Sequence, residues 1–89
     1  MTDVGAEIRE RLAALEPRSL ELQDESGQHV GHAGYRAGES THFRLTIVSE
    51  QFRGLSRVAR HRRVYEALGP LMQNDIHALA VQALTPDEL

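Results

Sequence analysis

The hydrophobic residues among the first fifteen positions lie on one face of a predicted helix. Val4, Ile8, Leu12 and Leu15 recur every three or four residues, which is the spacing of a helix that buries one side. Pro17 ends this pattern, because a proline disfavours helical geometry at the residue before it. The sequence therefore predicts an amphipathic helix that stops before residue 17.

Alternating apolar and polar residues predict three short strands. Phe43, Leu45 and Ile47, for example, alternate with more polar side chains, which is the pattern of a strand with one buried face. The predicted strands cover residues 19–24, 42–49 and 76–84.

A long glycine-rich segment separates the first two predicted strands. Residues 25–41 hold four of the chain's seven glycines and predict a loop. A loop of this length in a small domain is usually functional or disordered. This one carries two histidines, His29 and His32.

A second helix is predicted to follow a small turn at residues 50–52. Ser56 is suited to cap the start of this helix, because its hydroxyl can accept a hydrogen bond from a free backbone N–H. Pro70 follows Gly69 within the pattern and predicts a kink or a break. Thr85 and Pro86 predict a last helical turn. The residues expected on the buried side of the second helix are Val58, His61, Val64, Tyr65, Leu68, Leu71 and Met72.

These elements predict a single α+β domain over residues 1–89. The order is α-β-β-α-α-β-α, in two layers, with helices packed on one face of a three-stranded mixed sheet. The first two strands can pair antiparallel across the loop. The second and third are joined through a helix, which suits parallel pairing with a right-handed crossover.

Composition narrows the possible functions. The chain has 89 residues, a net charge of −3 and no cysteine, so it cannot hold a cysteine-ligated metal by itself. All ten basic residues are arginine, and the five histidines are the obvious ligands for a soft metal. No stretch is long and apolar enough to span a membrane. The first residues do not resemble a signal peptide, so we expect a cytoplasmic protein without a membrane partner.

One segment carries a family resemblance. Residues 52–65 read Phe-Arg-Gly-Leu-Ser-Arg-Val-Ala-Arg-His-Arg-Arg-Val-Tyr, with an Ile-His-Ala-Leu-Ala stretch downstream and Glu-Ser-Gly-Gln-His upstream. This combination resembles the BolA family over residues 7–88. The resemblance implies a fold similar to the second class of KH domains. It also implies two alternative roles, one in iron–sulfur handling and one in nucleic-acid binding.

The iron–sulfur role would use histidines. In the family, a histidine before an Ala-Leu-Ala stretch is a proposed [2Fe–2S] ligand, and His77 occupies that position here. The resemblance places a second ligand in the loop at His29, with His32 as the alternative. The remaining ligands are expected from a monothiol glutaredoxin and its bound glutathione. His61 and His42 are instead expected to be structural, one packed in its helix and the other a hydrogen-bonding residue at a strand edge.

The nucleic-acid role would use the arginines, and the resemblance implies a DNA-binding regulator as the alternative function. A helix start with exposed N–H groups favours anions, and arginine adds a planar fork for phosphate. Two observations weaken this reading, because the Gly-x-x-Gly loop of KH domains is absent and the net charge is negative. The purely structural alternative is a solvated helix flank whose arginines pair with nearby Glu50 or Glu66. No motif indicates an enzyme. The same arginines could instead dock onto an acidic or glutathione-bearing surface of a partner. The candidate residues for nucleic-acid or partner contact are Arg53, Ser56, Arg57, Arg60, Arg62 and Arg63.

Overall fold

A three-stranded sheet with helices against one face forms the frame of the protein. The computed structural model describes residues 4–25, 42–74, 76 and 78–89. In that part of the chain no helix has the length and apolar character needed to cross a membrane. The helices are α1 (Val4–Leu12), α2 (Arg57–Leu68) and α3 (Leu71–Asn74), and the strands are β1 (Ser19–Asp24), β2 (His42–Val48) and β3 (Ala78–Leu84). Short 3-10 turns cover Ala13–Leu15, Glu50–Phe52 and Pro86–Glu88.

The sheet has the mixed topology that the sequence predicts. Its strand order is β1-β2-β3, so β2 is central. β1 pairs antiparallel to β2, with Leu22 opposite Leu45. β3 pairs parallel to β2, with Val81 opposite Leu45. The helical crossover between β2 and β3 permits this parallel pairing, because strands that run in the same direction cannot be joined by a tight turn.

One face of the sheet is apolar and lies under the helices. Phe43, Leu45 and Ile47 of β2 are buried and pack with Ile8 of α1 and Leu68 of α2 in one core cluster. Burying these side chains is the main stabilising contribution, at roughly 1.5–3 kcal/mol for each large apolar residue. The alternate residues of the strands point to the opposite face, where Glu21, Arg44, Ala80 and Gln82 are exposed.

The buried side of α2 is narrower than the sequence predicts. Val64 and Leu68 are fully buried, whereas Val58 is 66% exposed and Tyr65 is 40% exposed. The prediction that these last two residues lie in the core is therefore wrong. The helix turns Val64 and Leu68 toward the sheet, with Arg60 one turn earlier, and the Arg60 side chain reaches inward to polar groups at the end of β3.

The break between the two halves of the second helical segment is confirmed. α2 ends at Leu68, and Gly69 follows with a φ of +56°, a backbone geometry that favours glycine. Its N–H donates to the Tyr65 carbonyl at 3.0 Å. The third strand begins at residue 78 and not at residue 76, because the Ile76 N–H is held by the Leu71 carbonyl at 2.8 Å and closes the end of α3.

A buried serine joins the first helical segment to the turn after β2. Ser49 is inaccessible to solvent, and its hydroxyl donates to the Leu15 carbonyl at 2.6 Å. The same oxygen accepts from the Gln51 N–H at 3.1 Å and caps the 3-10 turn at Glu50–Phe52. One hydroxyl thus satisfies two backbone groups where the chain ends one element and starts another.

Replacing Ser49 with alanine should destabilise the fold. The change leaves the Leu15 carbonyl without this donor and removes the cap, and we expect it to lower the free energy of unfolding by about 1–3 kcal/mol. Urea denaturation followed by circular dichroism measures this loss. Ser19→Ala, at an exposed strand position, is the matched control. Equal stability of the two variants would contradict the role of Ser49.

Candidate functional site

The three predicted metal ligands lie outside the described residues. His29 and His32 fall within residues 26–41, and His77 precedes the first residue of β3. Within residues 4–25, 42–74, 76 and 78–89, no group of three or more histidine, aspartate or glutamate side chains could hold a metal ion. The structure does describe the residues that flank the predicted ligands, and these define where the ligand-bearing segments start and end.

Those flanking residues meet at one end of the sheet. The Glu25 N–H donates to the His42 carbonyl at 2.8 Å, so the segment between them leaves and rejoins the sheet at the same place. His42 is paired with Ala78 across β2 and β3. Neighbouring strands lie about 4.8 Å apart. Glu25, His42 and Ala78 therefore lie at one end of the sheet, which we call the loop end. The loop with His29 and His32 is attached there through Glu25 and His42, and His77 is attached through Ala78.

Charged residues accompany the loop end. The Arg44 guanidinium lies 3.2 Å from the Glu25 carboxylate, and this pair bridges β2 and the residue after β1. The Arg44 side chain is largely exposed. An exposed pair of this kind contributes little to stability.

The second candidate surface is the start of α2. The Ser56 hydroxyl accepts from the Ala59 N–H at 3.1 Å, which confirms the predicted cap. Gly54, with a φ of +80°, turns the chain into this start, a geometry that a residue with a side chain rarely adopts. The predicted arginines thus lie on the first turns of a well-formed helix or just before it.

Two of the five arginines are held by carboxylates of the same chain. Arg53 donates to both oxygens of Glu50 at 2.9 and 3.1 Å and to Asp87 at 2.9 Å. Arg60 donates to both oxygens of Glu88 at 2.6 and 3.0 Å. The pairing of Arg53 with Glu50 is the structural alternative to nucleic-acid binding that the sequence analysis gives for these arginines. Both arginines attach the final turn of the chain to the start of α2, and we call these contacts the C-terminal clasp.

Arg60 also satisfies backbone groups. Its guanidinium donates to the Leu55 carbonyl and to the Ala83 carbonyl, both at 3.0 Å. Its side chain is only 15% exposed. The Arg60 guanidinium is therefore structural. A phosphate or a partner carboxylate could bind it only by displacing Glu88 and the two carbonyls.

The clasp lowers the pKa of each of its carboxyls. Hydrogen bonding from Arg60, with a further bond from the Thr85 N–H, lowers the pKa of Glu88 to about 2. The Asp87 pKa is lowered by Arg53 and by the Thr85 hydroxyl, and the Glu50 pKa is lowered by Arg53. All three carboxyls are stabilised as anions, since hydrogen bonds to the charged form favour it.

The other three arginines are available at the surface. Arg57, Arg62 and Arg63 are exposed, and none forms an ion pair with a described carboxylate. Tyr65 is also exposed on α2, and its ring meets the His61 ring edge-on with centroids 6.4 Å apart. His61 is half-buried in this contact.

Sequence reasoning missed the carboxylates of the final turn. The predicted helical turn after Thr85 is present, but its spacing does not predict that Asp87 binds Arg53 or that Glu88 binds Arg60. The Thr85 N–H donates to Glu88 at 2.9 Å, which completes a capping box. The Thr-x-x-Glu spacing signals that box. No local pattern signals the contact with a helix more than twenty residues earlier in the chain.

The fold and these surfaces define a small α+β module with a loop end and a basic helix. A family model described as BolA-like protein matches residues 12–88, so the chain belongs to the BolA-like family. BolA1 from Arabidopsis thaliana is a structural neighbour with a TM-score of 0.86 and 39% identity, over 100% of this chain and 98% of that one. The predicted fold and family are both confirmed.

Curated relatives show how widely this module is used. BolA-like protein 1 of Mus musculus is 51% identical over 84 residues, 93% of this chain but 58% of the relative. SufE-like protein 1 of Arabidopsis thaliana, whose name places it in chloroplasts and mitochondria, is 47% identical over 96% of this chain and 24% of the relative. The DNA-binding transcriptional regulator BolA of Haemophilus influenzae is 37% identical over 83% of this chain and 68% of the relative. The chain thus spans less than two thirds of the length of the first two, and its cytoplasmic location stays a prediction.

Acid should weaken the C-terminal clasp. A carboxyl whose pKa is lower in the folded than in the unfolded chain adds to the free energy of unfolding at pH values above its unfolded pKa. This contribution is lost as the pH falls through the folded pKa. For Glu88 the window runs from its ordinary pKa of 4.5 down to about 2. We therefore expect Glu88→Gln to be less stable than the native chain near neutral pH, with a difference that shrinks below pH 4.5.

Urea denaturation at a series of pH values measures that difference. Glu10→Gln is the matched control, because Glu10 is exposed on α1 and forms no ion pair with the described residues. A difference between Glu88→Gln and the native chain that stays constant across this window would contradict the role of the clasp.

Proposed function

We propose that this protein is a non-enzymatic partner of a monothiol glutaredoxin and supplies histidine ligands to a shared [2Fe–2S] cluster. His77 would ligate from the residue before β3, and His29 or else His32 from the segment between β1 and β2. Cysteine of the glutaredoxin and its glutathione would supply the remaining ligands. Membership of the BolA-like family and the resemblance described above support this role.

The observation that carries the proposal is the convergence at the loop end. The Glu25–His42 hydrogen bond and the pairing of His42 with Ala78 bring the described flanks of both ligand-bearing segments to one sheet end. Two ligands from segments far apart in sequence can share an iron only when the fold brings those segments together. The parallel register does so for Ala78, the neighbour of His77 in sequence, and for Glu25 and His42, the two flanks of the loop.

The donor chemistry also fits. Imidazole is a suitable ligand for iron, and the chain lacks cysteine, so it can offer only part of a ligand set. Replacing two thiolates on one iron with two histidines raises the potential of such a cluster, as in Rieske centres. The contribution of this chain is to hold two imidazoles at one end of a rigid sheet and to leave the other side of the site to the partner.

Histidine substitutions test the proposal. Native protein is titrated into cluster-loaded monothiol glutaredoxin and followed by visible circular dichroism, beside His77→Ala, His29→Ala and His32→Ala. We expect the native protein to give a new spectrum that saturates at one-to-one. His77→Ala and one of the two loop variants should fail to produce it, because an alanine offers no ligand.

His61→Ala is the matched control. It removes a histidine from α2, which contacts Tyr65 and lines a groove at the far end of β3. We expect its spectrum to match that of the native protein. A native spectrum from His77→Ala would contradict the proposal, and so would equal loss in all histidine variants.

A second candidate function is DNA binding through α2. The specific observation in its favour is the exposure of Arg57, Arg62 and Arg63 on one helix, beside a helix start that suits anions. A relative from Haemophilus influenzae is named as a DNA-binding regulator. Arg53 and Arg60 are less suited to this role, because the C-terminal clasp holds them.

Salt dependence distinguishes the two sets of arginines. The logarithm of the DNA affinity falls with that of the salt concentration by about 0.9 for each phosphate neutralised, so three arginines predict a slope of about −2.7 and five about −4.5. Fluorescence anisotropy with a labelled duplex measures the slope. We expect about −2.7, with a shallower slope for Arg62→Gln and no change for Arg9→Gln on α1. A slope near zero would rule out this function.

A further inference from the structure

β3 has the features of a strand that accepts another strand. It lies at an edge of the sheet and pairs, within the described chain, with β2 alone. Its seven residues, Ala-Leu-Ala-Val-Gln-Ala-Leu, include no charge, proline or glycine. Proteins usually protect an exposed edge with such residues, because its unpaired backbone groups are a template for pairing. The opposite edge, β1, carries Glu21 and Asp24.

The hydrogen bonds identify which backbone groups of β3 face outward. The Leu84 carbonyl accepts from the Ser49 N–H at 2.9 Å, so the backbone groups of Leu84 face β2. Successive residues of a strand direct their backbone groups to opposite edges. Ala83 therefore faces outward, as its bond from Arg60 shows independently. By the same alternation, Val81 and Leu79 present their N–H and C=O groups to the outer edge.

A groove runs beside this edge. It has a volume of about 380 Å³ and lies between the first turns of α2 and the last residues of β3. Val81 and Ala83 line one side, and Arg57 and His61 line the other. The segment that bears the loop histidines is tethered at the other end of the strands, beside Ala78. Of the outward backbone groups of β3, Arg60 binds the Ala83 carbonyl, so an added strand must stop before that residue.

Charge determines which strand fits. Arg57 is exposed at the groove and has no carboxylate partner among the described residues. Glu88, the acidic residue of the groove, is already held by Arg60. A second copy of β3 would bring another Arg57 and His61 to the same region and would carry no charge to balance them. An acidic segment would instead bring carboxylates to Arg57, which has none among the described residues.

We propose that the outer edge of β3 at Leu79 and Val81 is a docking site for an extended acidic peptide segment of a partner protein. The segment would add a fourth strand through backbone hydrogen bonds to these two residues. Its acidic side chains would face Arg57 and His61 of α2. The inference does not depend on the proposed cluster site, which lies at the loop end.

A peptide titration tests this site. The probe is a blocked peptide of three Val-Glu repeats, added to uniformly ¹⁵N-labelled protein. We expect the largest amide shifts at Leu79, Val81 and Ala83, with slower hydrogen exchange of the Val81 N–H. The same peptide with lysine in place of glutamate should bind about tenfold more weakly, because the charges facing Arg57 become repulsive.

Two substitutions of Val81 show whether the peptide binds through backbone hydrogen bonds to β3 or only through its charge. Val81→Pro removes an outward N–H, which an edge strand tolerates, and should weaken binding by about tenfold. Val81→Thr is the matched control, because it keeps the N–H and the β-branched shape, and should bind within about threefold of the native protein. Circular dichroism checks that both variants fold. If Val81→Pro does not fold, the test is whether peptide slows hydrogen exchange of the Val81 N–H in the native protein.

Four results would overturn the proposal. The first is unchanged exchange of Val81 at millimolar peptide. The second is equal binding by Val81→Pro and Val81→Thr when both are folded. The third is tighter binding of an oligothymidylate to the same residues, which would make the groove a nucleic-acid site. The fourth is protection of Val81 by a dimer of this chain in sedimentation and exchange measurements without peptide.

Discussion

Parallel pairing of β2 with β3 requires a crossover, and α2 with α3 forms that crossover. The register from His42 opposite Ala78 to Val48 opposite Leu84 then fixes both ends of the strands. At one end it brings the flanks of the histidine-bearing segments together. At the other it brings the end of β3 under the first turns of α2, where Arg60 reaches the Ala83 carbonyl. The loop end and the groove between β3 and α2 both depend on the pairing of β2 with β3.

Polar contacts at the ends of the elements complete a small core. A domain of this size buries a smaller share of its surface than a large one, so its ends matter more. Ser49 joins the first helical segment to the end of β2, and Arg60 joins α2 to β3 and to the final turn. These contacts also divide the arginines of α2 and of the turn before it into two kinds. Arg53 and Arg60 bind carboxylates of the final turn, whereas Arg57, Arg62 and Arg63 have no carboxylate partner among the described residues.

Local patterns in the sequence predict the elements well. The alternation through β2, the Ser56 cap and the break at Gly69 each depend on residues within a few positions of one another, and the structure confirms all three. Contacts between distant segments are less accessible to such reasoning. Val58 and Tyr65 share the helical spacing of core residues, but α2 turns Val64 and Leu68 toward the sheet and leaves these two residues exposed. Asp87 and Glu88 read as a helical turn, and only the folded chain brings them to Arg53 and Arg60.

The central claim is that this chain contributes two imidazoles to one site from segments that meet at the loop end. Labelling its histidines with ¹⁵N and recording pulsed electron paramagnetic resonance of the reduced complex with unlabelled glutaredoxin tests the claim most directly. The account predicts hyperfine couplings from two ¹⁵N nuclei, one of which disappears in His77→Ala. A spectrum without ¹⁵N coupling would show that the histidines of this chain do not ligate the iron and would contradict the account.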